Sequence, residues 1–379
     1  MRPLLSGFQA LMGGSSNGAS AAGRISKLVV FSYLVDWVVI LLMAALGRIF
    51  AVAQPNRHTF SLRDPNISYP FATKETVSVT VLILVSLVAP VALIALLSLL
   101  FIPGRSAAAG APSSLVWRRK LWEWNAGWMG LGVAYACTYA ATEGMKVLFG
   151  KPRPDMLSRC DPDLSDIASH VVSGLGQKLA GAPELVSWTI CRSTTETTLR
   201  DGFVSFPSGH ASSSFAGLVY LTLWVCSKMF IAFPNLSPTL FTRHVPAASF
   251  HTRPEDDETS NDSPLSDAVP LREQGAAPPT YLLLIAAVPI CTAVFIASSR
   301  WVDNRHFGFD ILFGAVMGTL FAWIGFHLYH LPLASGGGWA WGPRSRHLAF
   351  FAGVGHPTYG CAMDEHEHRR RQAQQALPR

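Results

Sequence analysis

Three short clusters of ionisable residues interrupt an otherwise apolar chain. The first is KVLFGKPRPD, with Lys146, Lys151, Arg153 and Asp155. The second is FPSGHASSS, with Ser208, Gly209 and His210, and the third is SSRWVDNRHFGFD, with Arg300, Asp303, Arg305, His306 and Asp310. Lys146, Arg153 and Arg300 offer three cations, and the motifs supply no compensating acid except Asp310. Guanidinium groups grip phosphate oxygens as a two-toothed fork, and a lysine acts as a point charge. In PSGH, Ser208 can cap a helix and Gly209 lets the backbone come close, while free N–H groups and the helix dipole attract an anion. These residue types fit phosphate.

The histidines add reactivity. His306 and Asp310 are four apart, so on a helix they share one face. The carboxylate can then accept a proton from one imidazole nitrogen and leave the other as a nucleophile or base. His210, from a different helix, can protonate a leaving oxygen. No HExxH and no CxxC accompanies them, so the expectation is phosphoryl transfer through histidine with no metal and no cofactor. Singly, each cluster has a plain structural explanation. Lys146 could anchor a membrane interface, PSGH could start a helix, and His306 with Asp310 could decorate a helix end.

Elements must bring these clusters together. Half of the 379 residues are hydrophobic and 14% are charged, with a mean hydropathy of +0.29. Soluble domains carry roughly a quarter charged residues, and disorder needs low hydrophobicity and high charge. A polytopic membrane protein fits instead. The net charge of +6 is explained by basic loops beside spans without invoking nucleic acid. Six stretches read as spans: 28–47, 77–102, 126–149, 211–233, 280–299 and 307–331. Pro90 should kink the second, and Lys228 should snorkel from the fourth to an interface. Asp36 lies mid-span with no obvious partner on another span at its depth.

Parity places the clusters. Span three ends and span four begins at one face, and four and five make a return trip, so the third cluster lies at that face too. One site can therefore draw on all three.

The rest of the chain sorts by composition. Residues 1–27 read as a disordered segment without a signal-peptide pattern, leaving span one as an uncleaved anchor. The insert 234–279 reads as disordered, and 332–379 as a solvated tail ending in EHEHRRRQAQQALPR. The loop 150–206 reads as an extramembrane cap over the site. Its Cys160 and Cys191 could form a disulfide or stay as two thiols. The basic tail puts both termini in the cytoplasm and the site on the lumenal or extracellular face. The sequon at Asn66 agrees with that orientation, while the one at Asn261 would oppose it if used.

At these residues the sequence resembles the type 2 phosphatidic acid phosphatases (PAP2), which share a site with bacterial acid phosphatases and vanadium haloperoxidases. That family carries K-x6-RP, PSGH and SR-x5-H-x3-D. Here they are Lys146 through Arg153 and Pro154, Pro207 through His210, and Ser299 with Arg300 through His306 to Asp310. The layout looks like the integral-membrane lipid phosphate phosphatases, an all-α bundle of six spans over residues 28–331. The resemblance implies that His306 attacks phosphorus with Asp310 orienting it, and that His210 protonates the leaving alcohol. It implies that Lys146, Arg153, Arg300, Ser208 and Gly209 hold the phosphate, without a metal. Phosphatidate, lysophosphatidate and diacylglycerol pyrophosphate are the expected substrates.

Lys151 and Arg305, beside the motif residues, are expected to tune the site. A sphingoid-base phosphate, an isoprenoid pyrophosphate or a sugar phosphate would suit the same motifs. A non-catalytic phospholipid-binding protein would be expected to lose His210 or His306. A haloperoxidase would be soluble, and a transporter would place its polar residues mid-span.

Overall fold

The computed structural model describes residues 27–104, 108, 113–229, 231, 278–333 and 340. The expected disordered segment, the insert and most of the tail lie outside the described residues. Helices α1 (Lys27–Val52), α2 (Val79–Phe101), α7 (Thr280–Val302) and α8 (Gly308–Tyr329) are long and apolar enough to cross a membrane. Phe31, Leu34, Leu41, Leu42 and Ile49 of α1 point away from the protein, a surface that water does not favour and lipid does. Between these helices lie α3 (Ser113–Phe149) and α6 (Gly209–Met229). α3 packs on α1, α2, α6 and α8, and α6 packs on α7 and α8 as well.

The helices touch where side chains are small. A Cβ on Gly325 of α8 would stand 2.4 Å from the Gly130 carbonyl of α3, and one on Gly217 of α6 would meet the Ser86 carbonyl of α2. That carbonyl has a reason to be there. Pro90 lacks the N–H that would bond Ser86 four residues back, and the helix widens into a π turn over Leu84–Val88. The freed oxygen then sits against a residue that has no side chain.

Lys228 does not snorkel into water. It is buried and pairs with Glu123 at 2.6 Å, and Glu123 also binds Arg119 at 2.5 Å and the Ala340 N–H. A buried cation is tolerated once a carboxylate faces it; Glu123, on a neighbouring helix, provides that partner. Asp36 likewise has a partner, accepting from the Tyr329 hydroxyl at 3.3 Å.

The cap is compact and not wholly helical. Short helices α4 (Met156–Cys160) and α5 (Glu196–Gly202) flank an antiparallel pair, β1 (Val171–Ser173) and β2 (Leu185–Val186). The all-α expectation misses this pair because the glycines at 174, 176 and 181 break a weakly amphipathic run into a hairpin. The loop after α1 joins the cap: Phe60 bridges Val186, and Phe60 and Ile67 share a core with Met156, Ile190, Leu199 and Phe203. Cys160 and Cys191 form a disulfide. Arg200 of α5 donates to the Ala51 and Ala53 carbonyls at the end of α1, satisfying acceptors that a helix C-terminus leaves open. Gly325→Ala should push α3 and α8 apart, cost about 1–3 kcal/mol and lower the unfolding temperature in detergent. An unchanged midpoint would contradict this packing.

Candidate active site

All three clusters meet where the cap sits on the bundle. A cavity of about 600 Å³ is lined by Lys146, Arg153, Gly209, His210, Arg300, Arg305 and His306. Lys146 comes from the last turn of α3 and Arg153 from the strap leading to α4. Gly209 and His210 open α6, Arg300 closes α7, and His306 stands two residues before α8. Ser208 and Asp310 are fully buried behind this wall rather than lining it. A Cβ at Gly209 would lie 3.0 Å from Lys146 Nζ, so the glycine makes room for the ammonium group.

His306 and Asp310 do not share a helical face. The helix starts at Gly308, and Asp310 turns its carboxylate back to the Phe307 N–H at 3.3 Å. Among the described residues no hydrogen bond joins the two. His306 Nδ1 instead lies 2.6 Å from the Ser205 carbonyl. A carbonyl only accepts, so the proton is on Nδ1 and Nε2 keeps its lone pair. Asp310 acts one bond further back, accepting from Ser205 Oγ at 2.6 Å and from Lys151 Nζ at 2.7 Å. Burial, and then the Arg153 charge, hold His306 well below the usual imidazole range. The ring is neutral at physiological pH.

The cations have acids that the motifs do not reveal. Lys146 pairs with Glu143 at 2.6 Å, Arg153 with Asp201 at 2.8 Å and Arg300 with Glu75 at 2.9 Å. Asp303 also binds Arg300 at 2.7 Å, and Arg305 bridges Glu75 and Asp201 at 3.0 and 3.2 Å. Although burial alone would raise it, Arg153, Arg159 and Arg305 hold the Asp201 carboxyl down to about 2. The expectation that Asp310 is the compensating acid is thus corrected. Glu143 could have been read from its place three residues before Lys146 on a helix, whereas Glu75 and Asp201 arrive through tertiary folding. The buried Nε atoms of Arg153 and Arg305 have no acceptor among the described residues, which leaves two N–H donors for an anion.

Below the charges the cavity turns apolar. Ile40, Ala44, Leu82, Ile83, Leu87, Gly132 and Ala136 line it. From Lys146 to Gly132 is fourteen residues of α3, a depth of about 21 Å at the rise of a helix. The cationic pocket and the apolar slot are one space.

The PAP2 superfamily profile matches residues 127–332, a little over half of the chain. A Saccharomyces cerevisiae protein, diacylglycerol pyrophosphate phosphatase 1, is 27% identical over 289 residues, 76% of each chain. A Schizosaccharomyces pombe protein described as a probable diacylglycerol pyrophosphate phosphatase is 27% identical over 314 residues, 83% of this chain and 86% of its own. Lipid phosphate phosphatase 1 of Arabidopsis thaliana is 28% identical over 194 residues, 51% of this chain and 42% of its own. No solved structure matches the chain. With three motifs gathered in one cavity and the profile spanning them all, the chain belongs to the PAP2 superfamily, among the lipid phosphate phosphatases.

Proposed function

We propose that the protein hydrolyses phosphatidate, lysophosphatidate or diacylglycerol pyrophosphate, without a metal, through a phosphohistidine on His306. The observation that carries this reading is the single cavity whose cationic end holds both histidines and whose other end is an apolar slot. A ligand filling it bears phosphate at one end and hydrocarbon at the other. Diphosphate lipids gain support from the names of the two fungal relatives.

The residues divide the work as follows. Lys146, Arg153 and Arg300, with the Gly209 backbone at the helix start, hold the phosphate oxygens. Ser208, expected among them, is buried and instead caps the helix by accepting from the Ala211 N–H. His306 Nε2 attacks phosphorus while the Ser205 carbonyl keeps its other nitrogen protonated. Asp310 fixes Ser205 and the turn before α8. His210 gives a proton to the leaving oxygen and then takes one from the water that cleaves the phosphohistidine.

The same reading makes α3 and α6 spans, completing six. Lys146 and the buried Glu123 are twenty-three residues apart on α3, about 34 Å along the axis, close to the thickness of a bilayer core. Their lower apolarity suits helices that face other helices. The disulfide favours placing the cap in an oxidising lumen or outside the cell, with both termini in the cytoplasm.

Purified protein in detergent with EDTA should release phosphate from phosphatidate and diacylglycerol pyrophosphate, and His306→Ala should release none. Equal rates from the variant, or release from sphingoid or isoprenoid phosphates alone, would overturn the assignment. Asp310→Asn should fold and lose about 10²-fold or more in kcat, since an orienting carboxylate acts on geometry and charge together. A near-normal rate would remove Asp310 from the mechanism. In a eukaryotic membrane, exposed Asn66 should carry an endoglycosidase-sensitive glycan that Asn66→Gln abolishes. A glycan on Asn261 instead would reverse the topology.

A further inference from the structure

Glu75 belongs to none of the three motifs, yet it stands among their residues. It sits in the loop between α1 and α2, which is fastened to the site from both sides. Arg305 donates to the Ala72 carbonyl at 3.1 Å, Thr76 donates to Asp303 through N–H and hydroxyl at 2.9 and 2.6 Å, and Arg300 donates to the Val77 carbonyl at 3.0 Å. The carboxylate takes one guanidinium on each oxygen, Arg300 on Oε2 and Arg305 on Oε1. Oε2 also lies 4.0 Å from His210 Nε2, and Glu75 lines the cavity.

His210 needs such a neighbour. The charged groups that face it are Arg300 from α7, Lys146 from α3 and Arg153 from the strap before α4, with neutral His306 before α8. Glu143 and Asp201 line the same cavity and pair with Lys146 and Arg153, as Glu75 pairs with Arg300 and Arg305. Among the described residues, however, Glu75 is the acid that comes within 4.0 Å of His210. Burial and these cations disfavour an imidazolium, and a carboxylate beside the ring opposes them in part. Nε2 of His210 donates to the Val77 carbonyl at 3.2 Å, so Nδ1 has a proton to deliver only when the ring is an imidazolium.

We propose that Glu75 is a positioning residue for His210, keeping its ring able to carry the proton that a poor leaving group requires. The proposal rests on the phosphatase reading above. When His306 attacks, the phosphorus–nitrogen bond forms and the bond to the leaving oxygen breaks, its electron pair passing to that oxygen. From phosphatidate the oxygen would depart as an alkoxide, so it takes the His210 proton and leaves as an alcohol. From diacylglycerol pyrophosphate it departs as a phosphate anion and has little need of a proton. Glu75 therefore separates monoester from diphosphate turnover.

The test compares kcat/KM for phosphatidate and for diacylglycerol pyrophosphate in wild type, Glu75→Gln and Glu75→Asp, in the same micelles. Glu75→Gln should lower phosphatidate turnover about 10- to 100-fold, a part of what general acid catalysis contributes, and diphosphate turnover no more than about 3-fold. Its basic limb for phosphatidate should move to lower pH, because the ring gives up its proton sooner without the carboxylate. Glu75→Asp, which keeps the charge, should hold the wild-type ratio of the two rates. An equal fall on both substrates would make Glu75 a structural or phosphate-binding group and overturn the proposal, as would no change on either. Should Glu75→Gln fail to fold, a Glu75→Asp enzyme with a shifted ratio would overturn it too. A wild type inactive on both lipids would remove the phosphatase reading, and the proposal with it.

Discussion

Lys146, Arg153, Arg300 and Arg305 crowd one cavity, and like charges taken out of bulk water must be paired to be tolerated. The pairing is what assembles the site. Glu143 comes from α3, Glu75 from the loop after α1, Asp201 from α5 in the cap and Asp303 from the turn after α7. Four separate parts of the chain are thereby bound to the same four cations. The contacts are also exchangeable, because a phosphate presents the same kind of oxygen to a guanidinium fork as a carboxylate does. On the proposed function, the charge network that holds the site together is also the network offered to substrate.

A second buried charge cluster lies far from the first. Glu123, Lys228 and Arg119 join α3 to α6 about 34 Å from Lys146 along α3. Between the two clusters the contacts are mostly apolar, with glycine at the closest approaches of α2, α3, α6 and α8. The bundle is fixed by ion pairs at its ends and by shape in its middle. The slot of the cavity runs down this middle, beneath the histidines.

Much of this was legible in the residue order. Long apolar runs marked the helices, and parity alone put all three clusters at one face. The spacing of Lys146, Arg153, His210, Arg300 and His306 named the residues that the cavity gathers. The acids were not legible. Glu75 and Asp201 are loop and cap residues with no periodic relation to their partners, so only the tertiary fold shows which cation each one meets. The link between His306 and Asp310 was misplaced for a local reason: α8 begins after His306, so a four-residue spacing did not mean a shared face. Lys228 looked like a residue reaching for water because its partner, Glu123, sits 105 positions away in the chain. Hydropathy marks α3 and α6 less strongly than the four apolar helices, because several of their polar residues face protein.

The neutral His306, its Nδ1 proton held by the Ser205 carbonyl, is the centre of the account. Rapid quenching of the enzyme with a lipid bearing a labelled terminal phosphate tests it most directly. An acid-labile, alkali-stable phosphoryl group should appear on the peptide containing His306, formed and lost as fast as turnover and absent from His306→Ala. Full turnover with no label on the protein, or label on a different residue, would contradict it.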